Sequence, residues 1–303
     1  MNIPTTHGDK LRALLTNNKL PTSDKQRVCD AIEKYNIWRN SLLQLEGEGY
    51  NTIVSKSVDL LNVYKNYIEI DLIFESKEDF LYRQKGQLKL DNTILEEYLP
   101  LLVNSIFNTK IVEKNIILGP TSCISGIRFD SSLSVETIGG GVVLKQKDQD
   151  FAISRPLFLK SSHYSSFEKS VIRETNIAYL ACECKTNLDK TMFQEASATA
   201  LDLKSTVPTA KYILLCEWLD MTPISSSTTA IDEIIILRKA KRIGAGERQN
   251  YSSAAERSTK LKEYKEFIYS HPFVSDTFMR LIEHINSLIN DIEENEILNR
   301  GYF

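Results

Sequence analysis

The chain has 303 residues, with 37 Lys or Arg against 40 Asp or Glu and a net charge of −3, so no global basic field announces a nucleic-acid ligand, although a local patch would suffice. A 42 % apolar fraction supports a real core in one large domain or two smaller ones. Five scattered cysteines, no Cys-x-x-Cys pair, no N-terminal apolar core of a signal peptide and no apolar run long enough for a bilayer argue against a secreted disulfide scaffold, a structural zinc site and a membrane protein. The expected location is a reducing cytoplasm.

Residues 8–46 carry a helical pattern broken at Pro21, after which Val28, Ile32, Tyr35, Leu42 and Leu45 recur at helical spacing, and Gly47 and Gly49 close the element. Residues 54–74 fit two periods: Leu61, Tyr64, Ile68 and Leu72 make a helical stripe, whereas Ile68, Ile70, Leu72 and Phe74 alternate as in a strand. Helix is the expectation. A further helix starts at Asp91-Asn92-Thr93 and runs to Asn108, bent at Pro100, with Glu96 and Glu97 in a first turn that favours carboxylates.

From Ile111 the pattern changes to short strands: 116–118, 123–129, 133–138 and 142–147, with Gly139-Gly140-Gly141 as a turn between the last two. No Gly-Lys-Ser/Thr follows the glycines, so they are no phosphate loop. In 147–154, Phe151 and Ile153 face one way and Asp150, Ala152 and Ser154 the other. Pro156 and the serines of 161–166 read as a loop, and 167–174 as a short helix.

The stretch 178–204 (AYLACECKTNLDKTMFQEASATALDLK) begins as a buried strand and ends as a helix. Alternation puts Tyr179, Ala181, Glu183 and Lys185 on one face and Leu180, Cys182 and Cys184 on the other. Ending a core strand in a carboxylate and an amine is costly unless each is compensated, and a metal on the carboxylate would do so. Asp189 can cap the helix, whose stripe is Phe193, Ala196, Ala200 and Leu203. Strands at 212–218 and 231–237 follow, and strand–helix–strand implies a parallel pair with a crossover helix. Residues 238–265 hold nine Lys or Arg against three Glu and read as a flexible basic loop leading into a helix. Residues 276–298 read as an amphipathic helix. Three regions follow: 1–90 helical, 91–240 core, and 241–303 a basic loop with C-terminal helices.

The chain has four acid-x-Lys triplets, at Glu75, Glu183, Asp202 and Glu263. Only Glu183 ends a buried strand, has an upstream acid strand at Asp150 and is followed by a small-residue helix. Asp150-Phe151-Ala152-Ile153 with Glu183-Cys184-Lys185 resembles the PD-(D/E)xK nuclease superfamily, and residues 93–217 follow its element order. Gln149 stands where the pattern has proline, and the Asp150–Glu183 gap is long enough to imply an insertion near the serines. QDFAIS and ECKTNLDKTMFQEA more narrowly resemble Type II restriction endonucleases of the BbvCI-like group, whose two different subunits cut an asymmetric DNA site, here of the CCTNAGC sort.

The resemblance implies an α/β fold with a mixed central sheet flanked by helices, and helical extensions at both ends. It implies Mg²⁺-dependent cleavage of double-stranded DNA by Asp150, Glu183 and Lys185. Asp150, Glu183 and the Cys184 carbonyl would bind Mg²⁺, an ion that takes oxygen ligands. Lys185 would orient or help deprotonate the attacking water. Glu97, or nearly as well Glu96, and Gln194 would support the site. Lys239, Lys241, Arg242 and Arg248 are the candidate DNA contacts. The partner would be a second related subunit or a second copy of this chain. A repair or recombination nuclease and a non-catalytic DNA-binding subunit remain alternatives on the same fold. No histidine cluster or nucleophilic triad competes.

Overall fold

The computed structural model describes residues 3–290, 298, 299 and 301. Helices α1 (Thr6–Leu15), α2 (Thr22–Leu43), α3 (Gly49–Asn66), α4 (Asp79–Gln87) and α5 (Thr93–Glu113) precede the sheet. The strands are β1 (Ile117–Phe129), β2 (Val142–Ser161), β3 (Val171–Leu188), β4 (Lys211–Leu219) and β5 (Glu233–Ile236). Helix α6 (Lys190–Thr206) lies between β3 and β4, and α7 (Ala245–Gln249), α8 (Ala254–Ser270) and α9 (Ser275–Ile289) follow the sheet. The expected helix at 276–298 is α9 as far as Ile289, and residues 291–297 lie outside the described residues.

Strand order is β1-β2-β3-β4-β5: β1, β2 and β3 are antiparallel, while β3, β4 and β5 are parallel. The mixed sheet, the crossover helix α6 and the Asp189 cap, which accepts from the Met192 N–H at 2.9 Å, follow the sequence expectation. Phe193, Ala196, Ala200 and Leu203 pack against one sheet face with Ala152, Ala181, Tyr212 and Leu214. The small side chains let the helix approach closely. Phe151, Ile153, Leu180, Cys182 and Cys184 point the opposite way, into a core shared with α1, α2, α3, α5 and α9. No described helix is long and apolar enough to cross a membrane.

Several local expectations are corrected. After Asn66 the chain continues as a π-helix, Tyr67–Phe74, buried around most of its circumference. Such burial erases the one-sided stripe, which explains why helical and strand periods both fitted. Pro100 is accommodated within α5, and the non-helical dihedrals occur at Phe107 instead. Residues 117–118 and 123–129 belong to one strand that continues through Gly119-Pro120 with register shifts. Residues 133–138 form no strand: Leu133 is fully exposed, and the glycine turn joins β2 to β1, with Phe129 opposite Val142. Residues 167–174 form no helix. They enter β3, which pairs with β2 from Ser161↔Val171 back to Phe151↔Cys182, so Pro156 lies within the ladder. The long Asp150–Glu183 interval is therefore a strand extension. The first half of β2 touches β3 through Gln146 Nε2, which donates to the Glu174 carbonyl, and the end of β2 touches the glycine turn through Ser161 Oγ, which donates to the Gly139 carbonyl.

The N-terminal helices are tied to the sheet by buried charge. Lys65 Nζ lies 2.5 Å from Glu217 of β4, 3.5 Å from Glu69 and 2.7 Å from the Asp91 carbonyl. Arg238 pairs with Glu217 at 3.4 Å and Glu69 at 3.6 Å, and Lys85 with Asp91 at 3.3 Å and Glu69 at 3.6 Å. Three cations thus meet three carboxylates. Burial drives the Glu69 carboxyl upward, but Lys85, Lys65 and Arg238 outweigh it and hold the group at about 2. Removing one partner strands its neighbours in low dielectric, which costs about 3–5 kcal/mol. Lys65→Met is expected to lose that much in urea unfolding, whereas Lys239→Ala, which breaks the exposed pair with Asp276, should change stability by less than about 1 kcal/mol. Equal losses in the two variants would contradict the assignment.

Candidate active site

The site forms where β2 leaves β3. Their ladder ends at Phe151↔Cys182, while β3 stays paired with β4 as far as Leu188↔Leu219. Cys184 therefore has neither an N–H acceptor nor a C=O donor from β2. Asp150 fills the first role, its Oδ2 accepting from the Cys184 N–H at 2.9 Å. Asn92, just before α5, fills the second, its Nδ2 donating to the Cys184 carbonyl at 3.0 Å.

Glu183 and Lys185 project from the same strand face, and Lys185 Nζ lies 2.7 Å from Glu183 Oε1. Glu183 Oε2 accepts from the Tyr212 hydroxyl at 2.6 Å. Tyr212 reaches it because Ala181 pairs with Tyr212 in the parallel β3–β4 register, leaving Tyr212 one step from Glu183 on a shared face. Tyr179 does not join this face. The β2–β3 register shifts beside it, and it lines a cavity with Ile116, Ile153 and Leu288.

The electrostatics follow from partial burial. Asp150 is raised above the usual carboxyl range, chiefly by burial; the Cys184 N–H and Lys89 oppose the shift and Glu183 adds to it. Glu96 is pushed up to about 7, again first by burial, then by Asp150, with Lys10 and Lys89 opposing. Burial lowers Lys185, but the bond to Glu183 and the nearby Asp150 prevail and raise it, so its ammonium persists at neutral pH. Burial and Glu183 together keep the Tyr212 phenol protonated.

Glu97, the expected supporting acid, faces away from Asp150. Its Oε1 accepts from the Tyr35 hydroxyl at 2.7 Å and pairs with Arg39, and its Oε2 accepts from the His7 and Gly8 N–H groups at 3.0 and 3.3 Å. It anchors α1 and α2 to α5. Adjacent helix positions diverge by about 100°, so of the two glutamates only Glu96 shares the field of Asp150. Gln194 is exposed on α6 and makes no hydrogen bond to the described residues. Of the basic candidates, Arg242 and Arg248 lie nearest the site. Arg242 donates to Asn187 Oδ1 at 2.8 Å and lines the cleft beside Lys185, and Arg248 pairs with Asp220 at 3.2 Å. Lys239 is turned to Asp276 at the start of α9, and Lys241 is exposed. The expected basic loop carries these ion pairs. Arg257 is wholly buried, donating to the Phe74, Ser76, Glu78 and Tyr251 carbonyls. Sequence reasoning did not find Asn92 or Tyr212; both depend on strand register and on the end of a ladder, which leave no local signal.

No set of three or more His, Cys, Asp or Glu side chains among the described residues is arranged to hold a metal ion. The available donors are the Asp150 and Glu183 carboxylates and the Cys184 carbonyl, which has a second lone pair beside the one Asn92 uses. This all-oxygen set fits a hard divalent cation that keeps several waters.

Glu96 supplies a test of this electrostatic picture. Its folded value of about 7 exceeds the usual 4.5, so the native state holds its proton more tightly than the unfolded chain does. Its contribution is favourable below about pH 4.5 and is lost as pH rises to about 7. Glu96→Gln should therefore stabilise the protein by about 1–3 kcal/mol at pH 8 and give no such gain at pH 4.5. A gain of the same size at both values would refute the shift.

Comparison with known proteins identifies the family and the fold. A search of the curated proteins finds no match. Among solved structures, the chain resembles the native BbvCI A2B2 tetramer, with a TM-score of 0.54 and 17 % identity, covering 90 % of this chain and 100 % of that one. At that identity the likeness establishes the fold, a mixed five-stranded sheet with helices before and after it. The Bpu10I restriction endonuclease family matches residues 87–303, from the end of α4 through Asp150, Glu183 and Lys185 to the C-terminus. This chain belongs to the Bpu10I restriction endonuclease family, and is a Type II restriction endonuclease acting as a site-specific deoxyribonuclease.

Proposed function

We propose that Asp150, Glu183 and Lys185 are the cleavage site, that Mg²⁺ is its cofactor, and that the chain is one catalytic subunit of a larger assembly acting on double-stranded DNA. The observation carrying this reading is the opened end of the β2–β3 ladder, where Asp150 meets the Cys184 backbone beside the Glu183–Lys185 pair. Asp150, Glu183 and the Cys184 carbonyl would hold the metal. Bound there, Mg²⁺ would neutralise phosphate charge and lower the pKa of a water.

The protein's own groups do the rest. The Tyr212 hydroxyl and the Lys185 ammonium fix the Glu183 carboxylate between them. As a cation paired with Glu183, Lys185 would orient the attacking water and steady the phosphate. Asn92 and Asp150 hold Cys184 by both backbone groups, which fixes the strand between Glu183 and Lys185 on the side that β2 leaves open. Arg242 and Arg248, at the neighbouring cleft, are proposed as DNA contacts with Lys241.

One chain carries one such site, and a duplex has two strands to cut. The similar BbvCI chains assemble as A2B2, which supports a second, related subunit here rather than action by a lone chain. Incubation with supercoiled plasmid and Mg²⁺ distinguishes the cases. Discrete linear fragments from this chain alone would indicate a homodimer; nicked circles, turned into discrete fragments by a related subunit, would support the paired assembly. A smear would contradict site-specific cutting.

Asp150→Asn and Glu183→Gln are expected to lower cleavage by about 10²-fold or more while leaving DNA binding in Ca²⁺ intact, and Lys185→Ala to do likewise. Full activity in any of the three would remove that residue from the site. A metal should also stabilise the fold that binds it: Mg²⁺ is expected to raise the Tm of the natural protein, and not that of an Asp150→Ala, Glu183→Ala double variant. Equal shifts would place the metal elsewhere.

A further inference from the structure

Beyond the catalytic triad runs a cleft of about 400 Å³, lined in part by Lys85, Lys89, Lys185, Thr186, Asn187 and Arg242. Four cations face it against a single carboxylate, Asp91. Three of the cations are already engaged: Lys85 with Asp91 and Glu69, Lys185 with Glu183, and Arg242 with Asn187 and Asp220. Lys89 is different. Its ammonium has no hydrogen-bond or ion-pair partner among the described residues, yet it stands close enough to Asp150 and Glu96 to pull both carboxyls downward.

Its backbone is unusual as well. Lys89 adopts φ = +50°, a left-handed conformation that costs a side-chain-bearing residue about 1 kcal/mol or more. The start of α5 holds it there: the Lys89 carbonyl accepts from the Asn92 N–H at 3.1 Å, the Thr93 N–H at 3.0 Å and the Thr93 hydroxyl at 3.2 Å. Asn92 is the residue that binds the Cys184 carbonyl. The turn carrying Lys89 is thereby keyed to the strand carrying Glu183 and Lys185. Glycine would meet the backbone requirement without strain, so the conformation alone does not explain a lysine at this position.

We propose that Lys89 is a phosphate-binding residue of the cleavage site, whose ammonium holds a backbone phosphate of the strand being cut in the cleft that Lys185 and Arg242 also line. This rests on the Asp150–Glu183–Lys185 reading above. An unpaired ammonium on a turn whose backbone is fixed to β3 can turn to a phosphate without breaking an existing ion pair, and only its side-chain freedom is lost. It supplies the positive charge that Lys185, committed to Glu183, offers only in part. The ligand is the phosphodiester itself, so the contact adds affinity and register without reading bases.

The test uses Lys89→Gly, which removes the ammonium and relieves the backbone, with Lys89→Arg as the conservative variant and Lys262→Ala, an exposed lysine on α8, as control. Binding of the full chain to a short random-sequence duplex in Ca²⁺ is followed by fluorescence anisotropy over a range of salt, and plasmid cleavage in Mg²⁺ is measured alongside. Loss of one phosphate contact should reduce the slope of log K against log salt by about 0.9. Lys89→Gly should show that reduction, cleave about 10-fold or more slowly at limiting DNA, and melt no lower than the natural protein. Lys89→Arg should recover the slope, and Lys262→Ala should match the natural protein. An unchanged slope and rate in Lys89→Gly would overturn the proposal. So would a lowered Tm with no rescue by arginine, which would assign Lys89 to the fold. If the natural protein cleaves and Asp150→Asn does not, yet Lys89→Gly behaves normally, the catalytic reading stands and only this inference fails. A fully active Asp150→Asn would remove the reading on which it rests.

Discussion

The site depends on a ladder that stops too early. Past Phe151↔Cys182 the backbone of Cys184 would be left half-buried with an unused donor and acceptor, at a cost of about 1–3 kcal/mol for each group. Asp150 and Asn92 remove that cost, and in doing so bring two otherwise unrelated parts of the chain to β3. The residue between the acid and the lysine is thus the mechanical centre of the site, although it contributes only backbone. Glu183, Lys185 and Tyr212 are then held by a continuous parallel pairing on the other edge of β3.

Charge balance sets the second constraint. The helices of the first ninety residues do not merely cover the sheet. Through Lys65, Glu69 and Lys85 they close a buried network with Glu217 and Arg238, which come from the far side of the chain. Separating the helices from the sheet would expose or strand six charges, so the two regions hold together as one body. The family match begins at residue 87, after these helices, but the buried charges couple them to it.

The same balance explains how an acidic protein can act on DNA. Most of the basic residues in 238–265 are spent within the fold: Arg238 and Arg257 are buried, and Lys239, Lys260, Lys262 and Lys265 pair with acids. A run of basic residues in sequence is therefore a poor map of the DNA-facing surface. What remains near Glu183 and Lys185 is a small number of cations around one cleft, where local field matters more than net charge.

Much of the architecture was legible in the residues. Alternation around Glu183, the small-residue stripe of α6 and the Asp189 cap are local patterns with local causes, and they placed β3, α6 and β4 correctly. So did the pairing of an acid strand at Asp150 with the triplet at Glu183. Reading failed where the cause was not local. Residues 171–174 lie in a strand because β2 is there to pair with, and 67–74 form a π-helix because protein surrounds them on most sides. Glu96 and Glu97 are adjacent and chemically identical, and only the packing of α5 against α1 and α2 decides that Glu97 is an anchor and Glu96 faces Asp150. Tyr212, Asn92 and Lys89 reach the site through strand register and a turn fixed across 92 residues of chain. By itself the sequence determined that Glu183 and Lys185 share one face of a buried strand, because a face that alternates charged and small residues is written in consecutive positions. The tertiary structure alone decided which neighbours complete it, because those contacts join residues that nothing in the linear order relates.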